Sequence, residues 1–405
     1  MKALLHRALI LPIPRLLFAW LCLLFAVSVI SDKVIPYDPS FPYVEINLAS
    51  SELPKYIYSW ANFDGVHYIT IAREGYLSVS LIQAFFPFFP ILLSVARHIH
   101  ITYIAFGLIL NIVVSSIFVS IWYYYQRSQR VSGDIARYAV VSFLVFPTSF
   151  FLISLYSESI FLLLCMATFI AVSHRKWFIA AVCIGLATAT RLVGIFLVPM
   201  IMLALLEDSY TILTKIKASN VVSHSSFQHT ILSNIFSALS IITIGSSGLL
   251  AFMYYLQKNF NDALYFFHVQ AEFGGIREES IVFLPQVLFR YLKILFTLKP
   301  FTLQYYSSVQ ELSLTALVVI GLLISWRKKL LPLYQIYFSI AAIVLPSLTG
   351  TLSSMPRYVL VALPAFTAFG WVLTHYPWLR PWWIGCSTFL LVFNTILFVQ
   401  GYWVA

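Results

Sequence analysis

Long apolar runs, separated by short polar stretches, make up most of this chain. A window of about 19 residues on a transfer scale predicts eleven membrane-spanning helices, near residues 10–30, 101–125, 138–155, 158–173, 177–190, 192–206, 232–255, 311–326, 331–348, 357–374 and 382–402. Several runs fall short of the roughly 20 residues that a perpendicular span needs, so we expect some helices to end in protein-lined cavities. The pattern predicts an all-α integral membrane protein.

Composition leads to the same class. Of 405 residues, 60% are hydrophobic and 10% are charged, and the mean hydropathy is +0.88, which excludes an ordinary soluble domain. The net charge of +10 comes from Lys and Arg at the ends of apolar runs, so it indicates membrane topology and no nucleic-acid partner. The four cysteines lie inside apolar runs without the spacing of metal ligands or of a disulfide framework. We treat residues 1–405 as a single multi-spanning domain.

The distribution of charge predicts which loops face the cytoplasm. With a cytoplasmic N-terminus, basic residues concentrate in the inner loops, where the only acids are Asp134, Glu207 and Asp208, as the positive-inside bias requires. Two large outer loops remain, near residues 31–100 and 256–310. Counting the Phe- and Pro-rich segment 81–97 as a span would reverse every later loop, so we expect a re-entrant or interfacial segment there.

The first outer loop contains the best candidate for chemistry, the polar and aromatic stretch 59–76. Asp64 is flanked there by Trp60, Phe63 and Tyr68. A carboxylate held among rings at the membrane surface is partly shielded from water, and its basicity can be tuned. Such a group can take a proton from a sugar hydroxyl.

Three further ionisable residues lie at the outer ends of predicted spans: Glu158, Arg191 and Arg357. Ions in or near a membrane are costly, so acids and arginines that converge on one side indicate a functional site. The planar guanidinium group binds phosphate oxygens through two hydrogen bonds. A carboxylate base and a cation for phosphate are the groups needed to displace a lipid phosphate from an anomeric carbon.

The same residues form a series of short motifs. They are Trp-x3-Asp-Gly-x-His-Tyr-x2-Ile-Ala-x2-Gly-Tyr from residue 60, Phe-Phe-Pro-x2-Pro from residue 85, Tyr-Ser-Glu-Ser from residue 156, Thr-Arg-x2-Gly from residue 190 and Pro-Arg-Tyr from residue 356. In this order, over roughly residues 55 to 370, the chain resembles the PIG-V-type mannosyltransferases of the GT-C superfamily, the family of the second GPI mannosyltransferase and its prokaryotic relatives. It departs from the family in two ways. Asn62-Phe63-Asp64 stands where the family often has Arg-Trp-Asp, and the chain is shorter than the eukaryotic members.

The resemblance implies a GT-C-like bundle with a large first extracytoplasmic loop that carries the catalytic acid, Asp64. It implies inverting transfer of mannose from a polyprenyl-phosphate donor to a glycolipid or GPI-like acceptor, in a prokaryotic plasma membrane or the endoplasmic reticulum. The substrate-binding residues are then Trp60, His67, Tyr68, Tyr156, Glu158, Arg191 and Arg357. We assign no metal ligands, because Asp64 and Glu158 alone provide few oxygen ligands for Mg²⁺ or Mn²⁺. Binding of a divalent cation is left as an open alternative.

Each assignment has an alternative. Asp64 and Glu158 can serve as helix N-terminal residues, both arginines as headgroup anchors, and Trp60 and His67 as interfacial aromatic residues. The chain can also be another GT-C transferase, such as a protein O-mannosyltransferase or an arabinosyltransferase. A non-enzymatic transporter or flippase for a lipid-linked sugar would use a similar outer cavity.

Overall fold

A computed structural model describes residues 12–218, 224–272 and 282–404; the predicted cytoplasmic N-terminus before residue 12 lies outside them. The described residues are helical or in turns, with no strand among them. The α-helices, α1 to α17 in chain order, are Pro12–Ser31, Lys55–Tyr58, Asp64–Glu74, Phe88–His98, Tyr103–Ser128, Gly133–Leu144, Glu158–Ser173, Trp177–Thr188, Leu197–Ala218, His224–Phe260, Tyr265–Glu272, Leu284–Thr297, Leu303–Lys328, Leu333–Ser347, Met355–Tyr358, Leu363–His375 and Leu379–Val399.

The prediction of an all-α multi-pass membrane protein is confirmed. In the described ranges, six helices are long and apolar enough to cross a membrane, or seven if the bent pair Met355–Val361 and Leu363–His375, which meet at 83°, forms one span. The other four predicted spans are the shorter helices α6, α7, α8 and α14. At 1.5 Å per residue, a helix of 16 residues such as α7 covers only about 24 Å of a hydrocarbon core about 30 Å thick. The count of eleven spans stays a prediction.

The prediction of one span over residues 138–155 is wrong. Helix α6 stops at Leu144, and the chain continues through a 3₁₀ turn, Ser149–Leu152. Pro147 explains the break, because proline lacks an N–H and disfavours helical backbone at the preceding residue. The segment from Phe150 to Tyr156 is nevertheless buried, and irregular backbone at membrane depth is tolerated where protein surrounds it.

The predicted loop boundaries also need adjustment. Helix α10 extends to Phe260 and α13 starts at Leu303, so the second predicted outer loop is shorter than 256–310. The first lies between α1 and α5, close to the predicted bounds of 31 and 100. Within it, segment 81–97 contains a 3₁₀ turn, Ile82–Ala84, and most of α4. The 11 residues of α4 are too few to cross a bilayer alone.

Close contacts between helices depend on small residues. A Cβ placed on Gly248 of α10 would meet the backbone oxygen of Gly185 in α8 at 2.1 Å, and one on Gly370 of α16 would meet the oxygen of Ile135 in α6 at 2.2 Å. Small residues allow helix backbones to approach closely where no hydrophobic effect draws the helices together. These contacts fix the positions of α8 and α16. Arg191 follows α8 in the sequence, and Arg357 precedes α16.

A separate aromatic cluster holds the first outer loop in place. Phe86 packs against Phe252 of α10 and Phe266 of α11, with ring centroids 5.2 and 5.3 Å apart. The Tyr68 ring of α3 lies edge-on to Phe85 and Phe89, at 5.1 and 4.9 Å. Aromatic pairs of this geometry add to the stabilisation from burial. Helix α3 is therefore a fixed part of the bundle.

Candidate active site

The segment that leads into Asp64 is a strained turn. A 3₁₀ turn, Ser59–Ala61, ends at Asn62, and Phe63 then has a φ of 58° and a ψ of −114°. Bulky residues rarely occupy this region of backbone space. Such a conformation costs about 1–3 kcal/mol and persists only where the surroundings hold it. Helix α3 begins at the next residue, Asp64.

Residues far along the chain hold this turn. The Phe63 ring packs against Phe398 and Trp403, with centroids 5.8 and 5.2 Å apart. The Asn62 side chain donates a hydrogen bond to the Phe398 carbonyl at 2.8 Å and accepts one from the Tyr37 hydroxyl at 3.1 Å. The turn before Asp64 is therefore set by packing from α17 and the residues after it.

The Asp64 carboxylate is bonded to an arginine. Its Oδ2 accepts a hydrogen bond from Nη1 of Arg357 at 2.6 Å. Asp64 is the first residue of α3, one position after the N-cap Phe63, and no side chain caps this helix. The geometry gives no support to capping as the role of Asp64.

Glu158 joins the two arginines. Its Oε1 lies 2.5 Å from Nη1 of Arg191 and 3.3 Å from Nε of Arg357. The second contact is within ion-pair distance but is not aligned as a hydrogen bond, and Oε2 has no hydrogen-bond partner among the described residues. Glu158 is also the first residue of α7, where the helix dipole favours a carboxylate. Glu158 therefore lies where two guanidinium groups and a helix N-terminus meet.

Aromatic faces surround both guanidinium groups. The Arg357 guanidinium lies 5.1 Å from the Tyr156 ring centroid, 5.3 Å from Phe151 and 5.2 Å from Tyr358. The Arg191 guanidinium lies 5.0 Å from the same Tyr358 ring. Cations over ring faces are stabilised by the ring quadrupole, most strongly when desolvated.

These four residues form a chain of alternating charge, Asp64–Arg357–Glu158–Arg191, which we call the charge quartet. The side chains of Arg357 and Glu158 are 5% and 4% exposed, and those of Asp64 and Arg191 are 15% exposed. Removing one member of a buried ion pair leaves an uncompensated charge and costs about 3–5 kcal/mol. The quartet has no net formal charge, which makes its burial near a membrane tolerable.

His67 and Tyr68 lie one turn further along α3. Burial lowers the pKa of His67 to about 4, against the opposing attraction of Asp64, so the ring is neutral at neutral pH. It stacks on Phe85 at 5.1 Å. The Tyr68 hydroxyl donates to Oγ of Ser157 at 3.2 Å, next to Glu158. Both residues lie beside the quartet as uncharged polar groups.

A cavity of about 680 Å³ opens onto the quartet. This volume falls within the range for small-molecule sites. Of the predicted site residues, it is lined by Asp64, His67, Tyr68, Glu158, Arg191 and Arg357.

Two predicted substrate contacts do not line this cavity. Trp60 is buried and lines a separate apolar cavity of about 370 Å³, between α1 and α5. Tyr156 is fully buried behind the quartet, where its hydroxyl accepts from the Asp64 N–H and donates to the Asn62 carbonyl, both at 3.2 Å. Tyr156 thus supports Asp64 and Arg357 from behind.

Sequence reasoning missed two residues of the site. Tyr358 faces both arginines and lines the cavity; its place in the Pro-Arg-Tyr motif was the available signal. Phe63 provides the left-handed backbone before Asp64. No signal in the sequence indicated this, because a turn of this kind normally favours glycine.

The described ranges contain no group of three or more His, Cys, Asp or Glu side chains that could hold a metal ion. The two carboxylates of the site each face an arginine. Each carboxylate of the site therefore already has a cationic partner from the protein itself.

The family model described as Mannosyltransferase (PIG-V) matches residues 12–264, more than half of the chain. No curated protein matches the sequence. The family match favours a glycosyltransferase over the transporter alternative. It includes Asp64, Glu158 and Arg191 and ends before Arg357, which the fold brings to the same site.

Proposed function

Since this chain belongs to the mannosyltransferase (PIG-V) family, we propose that it transfers a mannosyl group from a polyprenyl-phosphate donor to a hydroxyl of a glycolipid or GPI-like acceptor, with inversion at the anomeric carbon. The observation that carries this proposal is the 2.6 Å contact between Asp64 and Arg357. It joins a base and a cation suited to phosphate in a single cavity.

The reaction forms one bond and breaks one. The acceptor oxygen attacks the anomeric carbon, and the bond from that carbon to the phosphate oxygen breaks. The bonding electrons stay on the phosphate, and the acceptor proton moves to the Asp64 carboxylate. Attack from the face opposite the leaving group inverts the anomeric centre. Arg357 and Arg191 stabilise the charge that develops on the leaving phosphate.

Donor binding frees the base. In the structure the Arg357 guanidinium donates a hydrogen bond to Asp64 Oδ2, so this carboxylate oxygen is occupied. A donor phosphate offers Arg357 another anion, so the guanidinium moves its hydrogen bonds from Asp64 to phosphate oxygens. Glu158 keeps hold of both arginines through Oε1 during this exchange. Donor binding is therefore expected to precede productive binding of the acceptor.

The remaining lining of the cavity suits a sugar acceptor. Tyr43, His67, Phe85, Phe267 and Gln270 present ring faces and polar side-chain groups, and Glu272 adds a carboxylate that can accept hydrogen bonds from hydroxyls. Flat rings pack against sugar faces, and amide and imidazole groups exchange hydrogen bonds with hydroxyls. These groups support a neutral glycan as acceptor.

We place the site on the extracytoplasmic or lumenal side. The predicted inner loops contact one another at the end of the bundle away from the quartet: the guanidinium of Arg380 lies 4.5 Å from the Tyr138 ring, and Lys328 lies 4.6 Å from the Trp371 ring. Basic residues gathered at one end support the positive-inside assignment.

Asp64→Asn tests the proposal. It keeps size and removes the proton acceptor, so kcat for transfer from synthetic polyprenyl-phosphate mannose should fall by about 100-fold or more. Because the variant also releases Arg357, the donor KM should stay at the parent value or decrease. Purified protein in detergent and a panel of glycolipid acceptors provide the assay.

Asp208→Asn is the matched control, because Asp208 is paired with Arg175 at 2.7 Å far from the cavity. It should transfer at the parent rate. Near-parent transfer by the Asp64 variant would end its assignment as the base. A donor KM that rises together with the loss of kcat would show a general disruption of the site.

A further inference from the structure

The segment before Arg357 has an unusual backbone. Residues 348–354, which we call the arginine loop, connect α14 to α15 and contribute Thr349, Ser353 and Ser354 to the cavity lining. Gly350 and Ser354 have φ values of 87° and 67°. The left-handed conformation is costly for Ser354, since it carries a Cβ. The loop therefore requires contacts that hold it in place.

Helix α12 supplies these contacts. The Tyr291 hydroxyl accepts a hydrogen bond from the Leu352 N–H at 2.9 Å, lies 3.2 Å from Oγ1 of Thr351 and donates to the Glu311 carboxylate of α13. Nη1 of Arg290 also donates to the Gly350 carbonyl at 3.2 Å. One tyrosine hydroxyl thus ties the arginine loop to two helices.

Burial makes these hydrogen bonds hard to replace. Tyr291, Glu311, Thr351 and Leu352 are each no more than 6% exposed. Water has little access to this place, so an N–H or carboxylate that lost its partner would bear the full cost of desolvation. Burial also raises the pKa of Tyr291, which keeps the hydroxyl protonated and able to donate to Glu311.

The link from Leu352 to Arg357 is short. The Met355 N–H donates to the Leu352 carbonyl at 2.9 Å, and the Arg357 N–H donates to the Ser354 carbonyl at 3.1 Å. A displacement of Leu352 is therefore passed to the Arg357 backbone. Misplacing a reacting or binding group by about 1 Å can cost about 100-fold in rate. The contact between Arg357 and Asp64 is only 2.6 Å long, so a small displacement of Arg357 would break it.

We propose that Tyr291, held by Glu311, is a positioning residue that sets Arg357 for binding of the donor phosphate. This inference rests on the proposed function, because it assigns the phosphate to Arg357. Tyr291 touches no substrate. It acts through the arginine loop, and the site loses phosphate affinity when the hydroxyl is removed.

Tyr291→Phe tests the inference, because it keeps the ring and removes the hydroxyl. The Kd of farnesyl phosphate, measured by calorimetry on the detergent-purified full chain, should rise by roughly tenfold, the loss expected for misplacing one charge-assisted hydrogen bond. The acceptor KM should stay at the parent value. Tyr125→Phe is the control: Tyr125 is also a buried tyrosine, bonded to Gln335 at 2.5 Å, and its removal should leave the Kd unchanged.

A double-mutant cycle separates positioning from general damage. If Tyr291 acts through Arg357, adding Tyr291→Phe to Arg357→Lys should weaken phosphate binding less than twofold further. Multiplicative effects, or a Tyr291 variant that binds like the parent, would overturn the inference. Binding can be measured without turnover. If the parent protein binds farnesyl phosphate but does not transfer mannose, only the proposed function is contradicted. A parent that does not bind it would overturn the inference as well.

Discussion

Two arginine–carboxylate ion pairs of similar length flank helix α8 and differ in their exposure and in their further partners. Arg175 and Arg191 lie just before and just after α8, and each pairs with a carboxylate of another helix, at 2.7 and 2.5 Å. The Arg175 side chain is 58% exposed and its partner Asp208 is 22% exposed. For Arg191 and Glu158 these values are 15% and 4%.

The partners differ as well. In the described ranges Arg175 forms an ion pair with Asp208, whereas Arg191 shares Glu158 with Arg357 and faces Tyr358. Exposed pairs contribute at most about 1 kcal/mol, and basic residues at such loops orient the chain in the membrane. A buried pair must be complete, because each unpaired ion is costly. The two pairs have similar distances, so exposure is the property that distinguishes an ion pair at a predicted cytoplasmic loop from one in the candidate active site.

The largest expected effect concerns the two ends of the bundle. If they lie on opposite sides of the membrane, a cysteine at Ser50 and one at Ser128, both exposed positions, should each react with a membrane-impermeant maleimide from one side only, and from opposite sides. The parent chain, with its native cysteines, gives the background. Labelling of both positions from the same side would contradict the assignment of the loops.

A smaller effect is expected from changing the geometry of a cation while keeping its charge. Arg357→Lys removes the planar fork, and the loss of one charge-assisted hydrogen bond predicts transfer about 10- to 100-fold slower. Arg191→Lys should act in the same direction with a smaller loss, because Arg191 is further from Asp64 along the quartet. Arg175→Lys should transfer at the parent rate. Equal rates for all three variants would mean that the buried arginines only anchor the protein.

A third effect should appear in stability. Glu158→Gln removes the carboxylate that both buried arginines share, so the free energy of unfolding should fall by about 3–5 kcal/mol, seen as a lower midpoint of thermal unfolding in detergent. Asp208→Asn should cost at most about 1 kcal/mol. If the midpoints of the two variants match, burial does not distinguish the pairs.

The convergence of the quartet could be predicted from the sequence. Asp64, Glu158, Arg191 and Arg357 are ionisable residues at the boundaries of apolar runs, and the cost of isolated ions near a membrane already implies that they pair. Their alternating order could not be predicted. It depends on which side of α3, α7 and α15 each side chain leaves, and short motifs in the sequence do not specify this direction.

Trp60 shows where a motif is insufficient. It lies in the same motif as Asp64, yet it belongs to the 3₁₀ turn Ser59–Ala61, and its side chain lines a separate apolar cavity. Tyr156 likewise lies in the right motif and acts from behind the site. Spacing identifies neighbours in the chain, but the direction of a side chain after an irregular turn depends on backbone angles such as those of Phe63, which only the folded structure supplies.

The strained turn at Phe63 has a consequence for biosynthesis. Asn62 bonds to the carbonyl of Phe398, 336 positions later in the sequence, so the ribosome must synthesise this intervening stretch before the turn acquires its packing partners. In a nascent protein whose first helices are already inserted, Asp64 is present, but the residues that fix its orientation have not yet been synthesised. If Asp64 is the base that we propose, the enzyme is inactive until α17 has been synthesised, because packing of this helix completes the turn before Asp64.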